Sequence, residues 1–339
     1  MNALSYATWT RRDALLGLSA AAGAGLIGLG ARPAAAEPPP ETDTIRFRYV
    51  PAVCTAPQYV AEELLHAEGF KNIQYVKAQL GRLEKVAAGE ADIGINFSGP
   101  ILRQLDADDS ISVLAGVHPG CFELFATDGI RSVADLKGKK VGIWATNSSA
   151  HLFLSSMATY VGLDPRDIDW VIHPRAEAAQ LLSEGKIQGY MAFAPQPQQF
   201  RAQGVNAHVI VNSGVDRPWS QYFCCMVVAN RNFVTKHPVA TKRALRAILK
   251  SIDVCAQEPE RVARIMQEKG VARSYEATAQ AYREIPYLNA WREFDPEDTL
   301  RFYALRLHEA RMVTLSPQKL IARGTDWRFL DQIKRELKV

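Results

Sequence analysis

The sequence predicts an α/β protein of two similar lobes, with mixed, mostly parallel sheets facing a central cleft, followed by a helical C-terminal tail. Three observations predict it. A strand, helix, strand, helix, strand pattern occurs twice, over residues 45–95 and 139–193. In both copies a short helix runs through a Gly into the closing strand, and the last third of the chain changes to helical spacing. Alternating strands and helices of this length make parallel βαβ units with right-handed crossovers.

The first copy opens with Arg46-Phe47-Arg48-Tyr49-Val50 and continues in a helix over 56–67 that stops at Gly69. Ile73-Gln74-Tyr75-Val76 returns as a strand, and a helix over 80–88 leads through Gly89 into Ala91-Asp92-Ile93-Gly94-Ile95. A strand over 112–117 follows, after which the chain crosses to the second lobe. There the order repeats: strand 140–144, helix 149–160, Gly162, strand 168–172, helix 177–183, Gly185 and strand 187–193. An apolar strand over 223–229 precedes the tail. From Pro238 a long helix carries Ala244, Leu245, Ile248, Leu249, Ile252 and Cys255 as a stripe near the 3.6-residue period. Its Lys242, Arg243, Arg246 and Lys250 read as a solvated face. Further helices are expected over 259–268, 275–284, 296–310, 317–321 and 327–336, most with Pro, Ser or Asp at their starts. A tail of this kind packs back over the first lobe. The expected lobes are therefore 43–118 plus 236–339, and 119–235, with hinge crossings near 118–121 and 230–237.

Residues 1–36 are expected to serve export. Paired Arg11 and Arg12 precede an apolar stretch, and Ala34-Ala35-Ala36 supplies the small residues a signal peptidase needs, as in a twin-arginine leader. The apolar run, about 17 residues rich in Gly and Ala, falls short of the ~20 a spanning helix needs. The expected compartment is the periplasm. Removing the leader leaves about 300 residues, enough for two domains. Forty basic against 36 acidic side chains give a net charge of only +4, no footprint for nucleic acid or a membrane surface.

The five cysteines are Cys54, Cys121, Cys224, Cys225 and Cys255. An odd number cannot all pair, and none has CxxC or His spacing suited to zinc, so neither a metal nor a cofactor is expected. Cys225 and Cys255 read as small buried hydrophobes.

In open parallel sheets, ligands sit beyond the carboxyl ends of strands, where loops and helix N-termini converge. Three such places stand out: Cys54-Thr55-Ala56-Pro57-Gln58, Ser98-Gly99-Pro100, and Asn147-Ser148-Ser149 with His151 one turn on. Their unpaired amides and positive helix ends suit an anion or a polar head group. One such turn is explained as a helix cap; three on matching sides of two lobes point to a site. His118 and Cys121 lie where the chain crosses between lobes, and His118 is either a cleft donor or a satisfied hinge histidine. Trp219 and Tyr222 precede the 223–229 strand, placed to stack on a planar ligand or to pack.

The chain resembles the periplasmic substrate-binding proteins of ABC importers for nitrate, taurine and alkanesulfonates, whose fold, of the type II periplasmic-binding-protein kind, is shared with thiamine-pyrimidine synthases. The carriers are Cys54-Thr55-Ala56-Pro57-Gln58-Tyr59-Val60-Ala61, Gly89-Glu90-Ala91-Asp92-Ile93-Gly94, the run from Ser132 to Gly142, and Asn147-Ser148-Ser149-Ala150-His151. The resemblance implies a monomeric receptor that delivers a small organic or inorganic anion to an ABC permease. It also implies that Gln196, in Ala194-Pro195-Gln196-Pro197, stands where relatives carry an acidic or aromatic residue, which leaves ligand charge open. Alternatives are a binder of an aromatic or heterocyclic compound such as a thiamine pyrimidine precursor, and a synthase-like enzyme. Against the enzyme, Trp219-Ser220-Gln221-Tyr222-Phe223 replaces the run of cysteines such synthases carry, and no GxSxG, HExxH or phosphate-loop motif is present. A regulator built on the same two lobes would add a helix-turn-helix domain, which the sequence lacks.

Overall fold

The computed structural model describes residues 37–339; the export leader read from residues 1–36 lies outside them. Among the described residues, ten strands form two five-stranded sheets. The first contains β1 (Thr44–Tyr49), β2 (Asn72–Lys77), β3 (Ile93–Phe97), β4 (Ile111–Pro119) and β10 (Phe223–Asn230). The second contains β5 (Phe122–Ala126), β6 (Lys140–Ile143), β7 (Asp169–Ile172), β8 (Gly189–Phe193) and β9 (His208–Asn212). Their orders, β2-β1-β3-β10-β4 and β7-β6-β8-β5-β9, are one arrangement used twice. In each, the fourth strand runs antiparallel to both neighbours while the others share a direction. The duplicated sequence pattern corresponds to β1–β3 and β6–β8.

Burial explains the strand sequences. β3 and β10 are buried at every residue and read as unbroken apolar runs, as strands covered on both faces do. The edge strand β2 instead alternates between partly buried and exposed positions. β5 and β9 were not anticipated, since both fall outside the repeated pattern. β10 corrects the lobe boundary. The range 119–235 assigned it to the second lobe, but it hydrogen-bonds between β3 and β4 of the first sheet. The second crossing is therefore the 213–222 segment, not 230–237.

The helices are α1 (Ala56–Val60), α2 (Glu62–Ala67), α3 (Glu84–Ala87), α4 (Ser98–Ala107), α5 (Ser149–Tyr160), α6 (Ala178–Ser183), α7 (Gln196–Gln203) and α8 (Arg231–Lys236). The tail adds α9 (Pro238–Gln257), α10 (Pro259–Glu268), α11 (Tyr275–Glu284), α12 (Ala290–Glu293), α13 (Pro296–Glu309), α14 (Pro317–Gly324) and α15 (Arg328–Leu337). The apolar stripe of α9 lies against α1 and α2 of the first lobe, as its spacing required. The tail does more than cover that lobe. α13 packs on both α4 and α5, and α11 reaches α7, so it touches both lobes. Pro39–Val339 accordingly forms one compact unit.

The two crossings run backbone against backbone. Gly120, between β4 and β5, has φ +58°, and a Cβ there would stand 2.3 Å from the Cα of Gly214 on the other crossing. Ser213 Oγ accepts from the amides of Cys121 and Phe122 at 3.2 and 3.0 Å, joining the crossings just below the cleft.

Candidate functional site

Two of the three expected helix starts, those at Ser98 and Ser149, face each other across the lobes. α4 begins at the carboxyl end of β3, and α5 follows β6 in the second lobe. A Cβ on Gly99 of α4 would lie 2.9 Å from Cβ of Leu152 on α5, and one on Gly81 would lie 3.7 Å from the amide nitrogen of Ser149. Ser98, Gly99 and Ser149 share a cavity with Phe97, Phe122, Leu152, Phe153, Ser156, Cys224 and Tyr303. Its volume is about 10 Å³, room for roughly one water molecule. A wider groove of about 840 Å³, between α7 and α11, contains none of the expected site residues.

The start of α5 is built locally. Ser148 caps it by accepting from the amide of His151 at 3.3 Å, and Asn147 adopts φ +60°, a conformation Asn tolerates. The Asn147 amide donates to His151 Nδ1 at 2.9 Å, and the ring sits edge-on to Trp170. Burial lowers the His151 pKa to about 4, so the imidazole is neutral and able to accept that bond. Ser149 Oγ is buried without a partner.

Positive charge gathers at the same level. Arg175, just beyond β7, lies 4.1 Å from the centroid of Phe193 and 5.4 Å from that of Trp144. Phe193 in turn meets Phe97 of the first lobe and Phe122. Arg175 makes no ion pair among the described residues, and its Nε is buried without a hydrogen-bond partner. Burial lowers its pKa, while Tyr190 and Cys54 act in the opposite direction. Arg48 is 1% exposed and donates to the carbonyls of Arg82, Ile95 and Gln79, with no carboxylate among those partners.

A thiol cluster lies beside these cations. Cys54, Cys121 and Cys225 bring their sulfurs within 4.8 Å of one another. Cys224 adds a fourth, 2.8 Å from Cys121 and 3.9 Å from Cys225. His118 Nδ1 stands 2.9 Å from the carbonyl of Pro119, and Nε2 stands 3.1 Å from that of Cys54. Carbonyls only accept, so both bonds form when the ring carries both protons. Burial opposes that charge, but Cys225 and the carbonyls hold the His118 pKa above the usual value. Burial also raises the Cys225 pKa, yet the thiols of Cys121, Cys224 and Cys54 and the charge of His118 bring it well below the ordinary value.

Other expected residues are engaged elsewhere. Gln58 bridges Arg48 and Ile95, tying β1 to β3. Thr55 Oγ1 donates to Ala52, and the carbonyl of Pro57 accepts from Ser251. His118 resolves as a hinge histidine held by backbone carbonyls. Gln196 donates to the carbonyl of Arg175 and accepts from Tyr190, so it supports the Arg175 turn from behind. Trp219 and Tyr222 both pack in an aromatic cluster with Phe302, behind Phe153 and Tyr303 of the cavity wall rather than lining the cavity themselves. Sequence reasoning missed Arg175, Phe193 and Trp144. The signal available was an Arg two residues past a histidine at the end of a parallel strand, which is weak. The thiol cluster carried no signal, because its members come from three separated stretches.

Two lobes of this topology, with the starts of α4 and α5 facing each other between them, define a periplasmic-binding-protein fold. The chain belongs to the NMT1/THI5-like family, which it matches over residues 57–262. Among solved structures it is similar to the periplasmic nitrate-binding protein NrtA of Synechocystis PCC 6803, at 14% identity over 89% of this chain and 91% of that one, TM-score 0.70. It is similar to the periplasmic aliphatic sulphonate binding protein SsuA of Escherichia coli, at 19% identity over 83% and 92%, TM-score 0.66. The CA3427 gene product of Candida albicans, described as exhibiting the generic periplasmic binding protein fold, is similar at 13% identity over 84% and 96%, TM-score 0.66. No curated protein sequence matches the chain. Among the described residues no helix is long and apolar enough to cross a membrane.

Proposed function

We propose that the chain is a periplasmic solute receptor that captures a small organic anion between its lobes and presents it to an ABC importer. The observation that carries this reading is Arg175, a guanidinium without a carboxylate partner, held on the faces of Phe193 and Trp144 where the lobes meet. Arg175 is half-buried, with its Nε out of contact with water; a cation drawn out of water is ordinarily paired, and an anionic solute supplies the partner. The amides and orphan hydroxyl at the start of α5 add donors from the same lobe. The rings of Phe97, Phe122, Phe193 and Trp144 favour a solute with an apolar body, such as a sulfonate or carboxylate, over nitrate. Sulfonate and nitrate binding by the similar proteins SsuA and NrtA supports the anion class. Because the solute contacts both lobes, it favours the closed arrangement, and closure about the two crossings is the form a permease would recognise.

Thermal-shift screening of the protein without residues 1–36 tests this against alkane- and arenesulfonates, aromatic carboxylates, nitrate and a neutral aminopyrimidine. An organic anion is expected to raise the melting temperature. Arg175→Gln is expected to weaken its binding by roughly 10- to 150-fold, the worth of a hydrogen bond to a charged group. Binding of the neutral pyrimidine alone would favour the heterocycle reading. Fractionation is expected to place the protein in the periplasm; retention in the cytosol would revive the enzyme and regulator readings.

A further inference from the structure

We propose that Cys54, Cys121, Cys224 and Cys225 form a binding site for one thiophilic metal ion at the hinge end of the cleft. The inference does not rest on the solute reading. Isolated buried cysteines are common as small hydrophobes, and Cys255 on α9 is one, fully buried and outside the cluster. The other four come from the turn after β1, the first crossing and the start of β10, yet their sulfurs converge. Four thiolates bound at ≈ 2.3 Å to one tetrahedral ion stand about 3.8 Å apart. The observed separations are 2.8 Å for Cys121–Cys224, 3.9 Å for Cys224–Cys225, and at most 4.8 Å within Cys54, Cys121 and Cys225. Cys54, Cys121 and Cys225 therefore stand near that spacing, and Cys224, which approaches Cys121 and Cys225, is the fourth ligand once its side chain turns toward the ion; a multi-iron cluster holds its thiolates farther apart.

The surroundings suit such a centre. Four thiolates around a divalent ion leave two negative charges, and Arg48 stands near enough for its charge to interact with Cys225 and Cys54 without a carboxylate of its own among its hydrogen-bond partners. His118 lies against Cys225 and fixes the carbonyl of Cys54. A cavity of about 370 Å³ lined by Gly120, Cys121, Phe122 and Gly214 reaches Cys121 of the set from the hinge side. Soft thiolate sets select zinc or copper(I) over magnesium or calcium. On binding, each thiol gives its proton to solvent and no electron changes hands. Because Cys54 and Cys225 belong to the first lobe and Cys121 to the crossing, the ion would brace the hinge.

Titration of the full chain, reduced and under anaerobic conditions, with Co²⁺ as probe and Zn²⁺ as competitor tests the proposal. The expected result is one equivalent of Co²⁺ with thiolate-to-cobalt charge-transfer bands and tetrahedral ligand-field bands, both removed by Zn²⁺. Cys225→Ser and Cys54→Ser should weaken Co²⁺ binding at least tenfold, and Cys255→Ser should leave it unchanged. If the cluster variants do not fold, the wild-type spectrum decides alone, since the charge-transfer bands report sulfur ligation directly. No thiolate bands in the reduced wild type, equal binding by Cys225→Ser, or a Cys121–Cys224 disulfide that persists under reduction in place of the metal would each overturn the site.

Discussion

His151 shows how one side chain gains a pH dependence from its surroundings. Its ring is 6% exposed, its Nδ1 accepts from a backbone amide, and burial lowers its pKa to about 4. In the unfolded chain it titrates near 6.5. The folded pKa is depressed, so the contribution to stability is complete above pH 6.5 and is lost as pH falls from 6.5 towards 4. The full difference is about 3 kcal/mol. Urea unfolding at pH 7 and pH 4.5 is expected to show most of that loss in the wild type and a flatter profile in His151→Gln. Arg175 illustrates the complementary case. Nothing in Pro174-Arg175-Ala176 marks it among the many arginines of the chain; its distinction is the pair of ring faces it meets, and those arrive from the residue after β6 and the end of β8.

At the scale of elements, the crossings and the tail helices decide how the lobes sit. Gly120 occupies the left-handed region and is packed against Gly214, so Gly120→Ala adds about 1–2 kcal/mol of backbone strain. Displacement of the second crossing costs about 1–3 kcal/mol more. Thermal melts are expected to show a fall of several degrees, the larger part of it lost in a Gly120→Ala chain that also has its partner crossing loosened. α7 and α11 are tied by Glu284, which accepts from Arg201 at 2.5 Å and from Gln198 at 2.7 Å. Arg201 also holds the buried Glu123 of β5 at 2.6 Å. Burial raises the Glu123 pKa and Arg201 only partly offsets it. A raised carboxylate pKa makes stability fall as pH rises through the acid range above the ordinary value, a penalty that Glu123→Gln is expected to remove in melts at successive pH values.

Over the whole molecule, the tie between α7 and α11 is a contact between second-lobe and tail elements that opening of the cleft would break. Such partly exposed ion pairs contribute about 1 kcal/mol, a factor of roughly five in a two-state population. Glu284→Gln is therefore expected to enlarge the radius of gyration in small-angle scattering and to weaken solute binding up to about fivefold. An unchanged scattering curve together with unchanged affinity would remove this contact from the closure.

Much of this architecture was legible in the residues. The doubled pattern located β1–β3 and β6–β8, and helix starts at Pro, Ser and Asp placed α9, α10 and α11 to the residue, because periodicity and caps are local properties. Ser98, Gly99 and Ser149 were legible as helix-start positions, because helix starts beyond parallel strands follow from topology; their meeting across the lobes came from the fold. The placement of β10 in the first sheet, the pairing of Gly120 with Gly214, the rings under Arg175 and the convergence of four thiols were settled only by the tertiary structure. Each depends on stretches far apart in sequence reaching one point, and neither spacing nor composition within any single stretch records that meeting.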